Sequence, residues 1–257
     1  MRKSRTLKKL RAGRPVRICS LGCFNPAFVA QAAHFGYDCI WLDLEHRTMD
    51  ARETQALLAF FHRFDIDCLL RAPTLEKTGL YRYLEDGAAG LMIPHVSTVE
   101  QAESLVRAVR FPPLGDRGQD GAGLDVNFLP GVGTEDYTEQ ANAETFLVVQ
   151  IETPQALENV DAIAAVNGLD GLFVGPGDLG LRIRSDPTTE WTLEQAIDRV
   201  SQAAASHGKA WGLPVGSEQE ICQYRDMGAQ LLAYGGDFRA IMLMLEQWSQ
   251  DLDRVGY

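Results

Sequence analysis

The chain has no Cys-x-x-Cys pair, no apolar run approaching the ~18 residues of a membrane span, and no acidic residue among its first fourteen. Its five cysteines (Cys19, Cys23, Cys39, Cys68 and Cys222) are an odd number, and its five histidines are not spaced with them as zinc ligands. A disulfide scaffold and a structural zinc site are therefore not expected. Buried, reduced thiols in a cytoplasmic protein are. A net charge of −11 argues against nucleic acid or an anionic membrane as the main partner. Seven cations (Arg2, Lys3, Arg5, Lys8, Lys9, Arg11, Arg14) crowd the start, but the apolar stretch of about 7–15 residues that an export signal needs does not follow them. Residues 1–14 are expected to be a solvated basic arm, or a short helix packing Leu7 and Leu10 on the body.

What is present is a rhythm. Short apolar runs at Val16 to Leu21, Cys39 to Leu44, Ile66 to Leu70, Gly90 to Ile93, Phe146 to Ile151, Gly171 to Val174, Ala210 to Pro214 and Leu231 to Tyr234 read as strands. Helical periodicity falls between them, at Thr54 to Phe64, Gly79 to Glu85, Val99 to Val109, Thr153 to Ala165, Leu193 to Ser206 and Glu218 to Asp226. Continuous rather than alternating apolar strands are covered on both faces, as in parallel sheets. Glycines at Gly36, Gly87, Gly168, Gly208 and Gly228 stop helices just before strands. Eight such units in 257 residues predict one α/β domain over residues 1–257, a single TIM (β/α)8 barrel. No Gly-x-Gly-x-x-Gly follows the first strand, so no nucleotide cofactor is expected. Residues 111–145, with Gly115, Gly118, Gly121, Gly123, Gly131 and Gly133, form an unusually long connection. It is expected either across the barrel mouth or as a surface excursion serving oligomer contacts.

In such barrels the chemistry is built at the carboxyl ends of the strands. Strand two ends in Asp43-Leu44-Glu45-His46, strand three in Arg71, strand five in Gln150-Ile151-Glu152 and strand six in Gly175-Pro176-Gly177-Asp178. Glu152 and Asp178 either cap the helices that follow or share a hard divalent cation between adjacent strands. Glycines around Asp178 expose backbone N–H groups suited to a carboxylate or phosphate. Arg71 offers a planar donor fork for an oxyanion, or a salt bridge. His46, three residues after Asp43, reads as an imidazole oriented by a carboxylate and acting as general base. His95 also faces this rim but has no evident acidic partner. None of the five lysines (Lys3, Lys8, Lys9, Lys77, Lys209) ends a strand, which disfavours a Schiff base.

These residues, in order, resemble the HpcH/HpaI class II pyruvate aldolases, which include 4-hydroxy-2-oxoheptanedioate aldolase and the 2-keto-3-deoxy sugar acid aldolases. The similar pieces are Phe35-Gly36-Tyr37-Asp38 leading to Asp43-Leu44-Glu45-His46, Arg71, Gly87-Ala88-Ala89-Gly90 with Pro94-His95-Val96, and Phe111-Pro112-Pro113-Leu114-Gly115-Asp116-Arg117-Gly118. Val149-Gln150-Ile151-Glu152-Thr153 and Gly171-Leu172-Phe173-Val174-Gly175-Pro176-Gly177-Asp178-Leu179 complete the set. The resemblance implies that Glu152 and Asp178 bind a divalent metal ion (Mg2+, Mn2+ or Co2+) and that Arg71 contacts the keto and enolate oxygen. It implies that His46 with Asp43 moves protons through water, and that the backbone at Gly177 and Asp178 holds the carboxylate of pyruvate, with Gln150 close by. The implied partners are pyruvate or another 2-oxo acid and an aldehyde.

The resemblance further implies a hexamer, a trimer of dimers, in which C-terminal helices pack on a neighbouring subunit. Phe238 to Leu252, with Ile241, Met242, Leu243, Met244, Leu245 and Trp248, is apolar on too much of its circumference for a solvated helix. The chain departs from the family pattern at Gln119 to Pro130 and at Arg182 to Pro187, both expected beside the mouth. The aldehyde half is thus left open. Two other readings stand beside the aldolase: an acyl-CoA carbon–carbon lyase of the citrate lyase or malyl-CoA lyase type, using Arg182 and Arg184 for the CoA phosphates, and a catalytically idle barrel that binds a 2-oxo acid.

Overall fold

The inward and outward sides of each strand carry different apolar sets, and this divides the interior into two cores. Ile18, Cys39, Leu69, Met92, Phe146, Val148, Phe173 and Leu231 face the barrel axis. Ile40, Leu42, Cys68, Leu70, Leu91, Leu147, Leu172 and Leu213 face the helices. Successive strand residues point to opposite sides, so an apolar run with no polar alternation fills both.

The computed structural model describes residues 1–131 and 136–256; Gly133 lies outside the described residues. Strands β1 (Val16–Leu21), β2 (Cys39–Asp43), β3 (Asp67–Arg71), β4 (Gly90–Ile93), β5 (Phe146–Ile151), β6 (Gly171–Val174), β7 (Ala210–Val215) and β8 (Leu231–Gly236) close into a parallel barrel in sequence order, β8 returning to β1. The expected single TIM-type α/β barrel is what forms. Glycine permits the closest approaches inside it. A Cβ on Gly90 would come within 2.4 Å of the Phe146 ring, and one on Gly212 within 1.8 Å of the Leu231 carbonyl oxygen.

The helices are α1 (Arg5–Arg11), α2 (Pro26–His34), α3 (Ala51–Arg63), α4 (Lys77–Glu85), α5 (Val99–Val109), α6 (Tyr137–Glu144), α7 (Pro154–Glu158), α8 (Val160–Ala164), α9 (Pro176–Ser185), α10 (Leu193–Ser206), α11 (Glu218–Asp226) and α12 (Asp237–Arg254). Reciprocal caps fix three starts: Asp50 with Glu53, Thr98 with Gln101, and Thr192 with Gln195. The five glycines read as helix stops all adopt positive φ. Three helices went unread: α2 buries only Val29 and Ala32, too little for a periodic signal, α6 lies inside the stretch read as a long connection, and α9 opens on Pro-Gly. The single helix expected over 153–165 is broken at Asn159, whose side-chain amide donates to the Ser97 carbonyl at 2.8 Å.

Topology corrects the placement of the long connection. It joins the end of α5 to the start of β5, and the described part runs beside α4 and under the amino-terminal end of the barrel. A Cβ on Gly123 would meet the Glu85 carbonyl at 2.4 Å, at the last residue of α4, and one on Gly87 would lie 3.0 Å from Leu124. Gln119 to Pro130 therefore does not cross the mouth within this chain.

Of the two readings of the basic start, the short helix packing Leu7 and Leu10 on the body is the one that forms. It folds as α1 beneath the barrel, Leu7 is buried, and its polar groups meet carboxylates at the lower end of the strands. Asp67, fully buried, accepts from Arg2 Nη2, Ser4 Oγ and the Thr6 backbone N–H, each at 2.7 Å. Lys9 pairs with Asp38 at 2.5 Å, and the Ser4 N–H donates to Glu144 at 2.9 Å. Substituting Asp67→Ala strands these donors, and a loss of about 3 kcal/mol is expected, because one member of a buried ion pair is then left uncompensated. Urea denaturation at neutral pH measures it; an unchanged midpoint would show that the segment contributes nothing to closing the barrel.

Candidate active site

The inward-facing rows turn from apolar to charged at the carboxyl ends of the strands. On β2 the row is Cys39, Trp41, Asp43; on β3 it is Asp67, Leu69, Arg71; on β5 it is Phe146, Val148, Gln150, followed by Glu152. Asp43 and Arg71 are register partners in the parallel ladder, so their side chains stand side by side. Arg71 Nε donates to Asp43 Oδ1 at 2.9 Å and Nη2 to Oδ2 at 2.7 Å, a two-bond fork. Its Nη1 lies 3.0 Å from Glu45 Oε2 and 3.5 Å from Gln150 Oε1. Arg71 is 7% exposed, its guanidinium lies over the Trp41 ring at 4.7 Å, and Trp41 meets Phe173 edge-on. The rim cation is thus immobilised from four sides.

Burial by itself would push the Asp43 carboxyl up. The hydrogen bonds and charge of Arg71, with the backbone N–H groups of His46 and Glu45, outweigh it and hold Asp43 below the usual carboxylate range. Glu152 goes the other way. It is 2% exposed, and burial raises it; the His95 N–H and imidazole oppose that rise, while Glu45 and Asp178 add to it by repulsion.

The carboxylates meet around His95. Its backbone N–H donates to Glu152 Oε1 at 2.7 Å, its Nδ1 lies 2.9 Å from the same oxygen, and its Nε2 lies 3.0 Å from Glu45 Oε1. The absence of an acidic partner for His95 is therefore corrected: it has two, brought from β2 and β5 by the closure of the barrel. The expected orientation of His46 by Asp43 is also corrected. Both Asp43 oxygens serve Arg71, and what His46 gives Asp43 is its backbone N–H, at 3.3 Å. The His46 ring is half exposed, with Glu45 Oε2 at 3.8 Å from its Nε2. Sequence reasoning gave Glu45 no role, although it lies in the Asp43-Leu44-Glu45-His46 stretch at the rim, and it placed His95 at the rim without finding its partners.

Just past the neighbouring strand β6, Gly175 leaves room for Glu152: a Cβ there would fall 2.6 Å from Oε2. Gly177 and Asp178 form the first turn of α9, whose free N–H groups suit an anion. Arg182 Nη1 donates to the Glu152 carbonyl at 2.7 Å and fixes the β5 end. Among the described residues no three Asp, Glu, His or Cys side chains form a ready-made metal cage. The donor chemistry nonetheless fits a hard cation. Glu152 and Asp178 repel one another, among the described residues Glu152 Oε2 has only Gln150 Nε2 at 3.3 Å as donor, and no side chain on Gly175 obstructs it.

A model of the HpcH/HpaI aldolase/citrate lyase family matches residues 18–242. A hydroxypyruvate/pyruvate aldolase of Deinococcus radiodurans is 35% identical over 229 residues, 89% of this chain and 82% of that protein. A 5-keto-4-deoxy-D-glucarate aldolase of Escherichia coli is 32% identical over 234 residues, 89% and 90% of the two chains. The solved HpcH/HpaI aldolase from Desulfitobacterium hafniense superposes with a TM-score of 0.88 at 30% identity, covering 95% of each chain.

Replacing Arg71 by Ala leaves Asp43 and Glu45 without their cation, at an expected cost of about 3–5 kcal/mol at neutral pH. The sign with pH follows from Asp43. Its lowered folded value stabilises the wild type fully above the unfolded carboxylate value of about 3.9, and that contribution is lost as pH falls through the folded value. The deficit of Arg71→Ala, measured by urea denaturation at pH 7 and pH 3.5, is therefore expected to shrink at the lower pH; a constant deficit would contradict the pairing.

Proposed function

The chain belongs to the HpcH/HpaI aldolase/citrate lyase family, and on that premise we propose that it is a class II aldolase cleaving a 4-hydroxy-2-oxo acid, of the 2-keto-3-deoxy sugar acid kind, reversibly into pyruvate and an aldehyde. The observation that carries the reading is the immobilised Arg71 guanidinium, set at the carboxyl end of β3 within reach of Gln150 and sharing Glu45 with the His95–Glu152 pair.

Glu152 and Asp178 would hold a divalent ion such as Mg2+, Mn2+ or Co2+, which when bound supplies Lewis-acid polarisation of the 2-oxo group. The N–H groups at Gly177 and Asp178 receive the carboxylate of the 2-oxo acid, with Gln150 beside it. His46 takes the proton of the C4 hydroxyl, with Asp43 fixing the backbone of its loop. The C3–C4 bond then breaks, the aldehyde leaves, and the bonding pair passes through C3 into an enolate. Arg71 donates to the developing enolate oxygen; held by Asp43 and Glu45, it needs no reorganisation as charge appears. Reprotonation at C3 gives pyruvate.

Amines do not compete for this end of the barrel in the described residues: Lys77 Nζ lies on Asp116, and Lys209 Nζ on the Val166 and Leu169 carbonyls. The CoA-lyase reading is less supported, since Arg182, offered for the CoA phosphates, is spent on the Glu152 carbonyl. Likeness to the citrate lyase β subunit of M. tuberculosis, at 16% identity and a TM-score of 0.57, is a likeness of fold. Among the described residues no helix is long and apolar enough to cross a membrane; a cytoplasmic location is part of the proposal and rests on the aldolase reading. Exposed Ile241, Met242, Leu245, Trp248 and Leu252 on α12 support assembly on a neighbouring subunit, as in a hexamer built as a trimer of dimers.

Deuterium exchange of the pyruvate methyl protons, with and without Mg2+, Mn2+ or Co2+, tests the chemistry. Glu152→Ala and Asp178→Ala are expected to lower ion-stimulated exchange by about 100-fold or more; full exchange in chelator would sink the assignment. Trp248→Glu is expected to lower the mass found by analytical ultracentrifugation, and an unchanged assembly would remove α12 from the interface.

A further inference from the structure

His95 stands apart from the residues given roles above. It follows β4, beyond Pro94, with a φ of +58°, a left-handed conformation uncommon for a residue bearing a Cβ. That conformation is what turns its backbone N–H onto Glu152 Oε1. The ring then bridges two carboxylates that would otherwise repel, with Nδ1 at 2.9 Å from Glu152 Oε1 and Nε2 at 3.0 Å from Glu45 Oε1.

The consequence falls on Glu152. One oxygen, Oε1, accepts the His95 backbone N–H and has the ring Nδ1 at 2.9 Å beside it. The other, Oε2, has among the described residues only the 3.3 Å contact from Gln150, and no side chain on Gly175 obstructs it. Glu45, gripped by the same ring, is also the third support of Arg71.

We infer that His95 is a positioning residue: its N–H and ring hold Glu152 Oε1 so that this carboxylate offers its other oxygen, Oε2, to the divalent ion, and it links that ligand through Glu45 to Arg71. The inference rests on the reading of Glu152 and Asp178 as ion ligands. It makes His95 a partner behind the ligand, the kind of contact whose removal weakens metal affinity by about 10–100-fold.

The test is direct Mn2+ binding to the full-length protein, with free Mn2+ counted by electron paramagnetic resonance. His95→Gly removes the ring but keeps the left-handed backbone and its N–H, whereas His95→Asn tolerates positive φ and retains a side-chain donor. His95→Gly is expected to raise the Kd for Mn2+ by about 10–100-fold with the thermal midpoint unchanged, and His95→Asn to recover most of that loss. At saturating Mn2+ the exchange rate of His95→Gly is expected to return to within a few-fold of wild type, because the ring touches the ligand and not the substrate. Wild-type Mn2+ affinity in His95→Gly overturns the inference. A wild-type protein that binds no Mn2+ overturns the ion reading itself, and this inference with it. Should His95→Gly melt early, His95→Asn decides, since equal loss in both variants is a structural effect and overturns the role.

Discussion

One buried guanidinium organises the mouth of this barrel. A permanent cation removed from water needs compensation on several sides, and Arg71 finds it in Asp43, Glu45, Gln150 and the face of Trp41. Trp41, Asp43 and Glu45 come from β2 and its end and Gln150 from β5, so the cation is fully compensated only after β2, β3, β4 and β5 have paired in order. The same requirement draws Glu45 toward His95 and, through it, toward Glu152. Charge compensation and the assembly of the site are one event.

The opposite end of the barrel meets an inverse demand. There the buried group is an acid, Asp67, on the same inward row of β3 as Arg71, and the compensation is supplied by the first residues of the chain. Between these two polar ends the inward row is apolar: Leu69, Met92, Val148, Phe173 and Leu231 exclude water from the middle. The polar ends are held four residues apart on one strand, which gives the barrel a rigid axis on which the rim groups are mounted.

Much of this was legible in the residues. The eight strands could be placed because apolar runs covered on both faces look the same wherever they occur, and helix-stop glycines mark where each return begins. Asp43, Arg71, Gln150 and Glu152 could be named because the carboxyl ends of strands are where barrel chemistry collects. What misled was sequence proximity. Asp43 and His46 are three residues apart, yet Asp43 turns to Arg71 because parallel register sets those two side by side. His95 shows no acid near it in the chain, yet lies between two. The stretch Gln119 to Pro130 was expected at the mouth, but a connection that leads from a helix into a strand returns to the amino-terminal end.

The sequence by itself determined the class of fold, the strand order, and which charged residues could reach the rim, since those follow from local periodicity and from a fixed rule about barrel ends. Only the tertiary structure decided which of those residues compensate one another. Pairing among charges depends on distances across strands that are tens of residues apart, and such distances exist only once the ladder has a register.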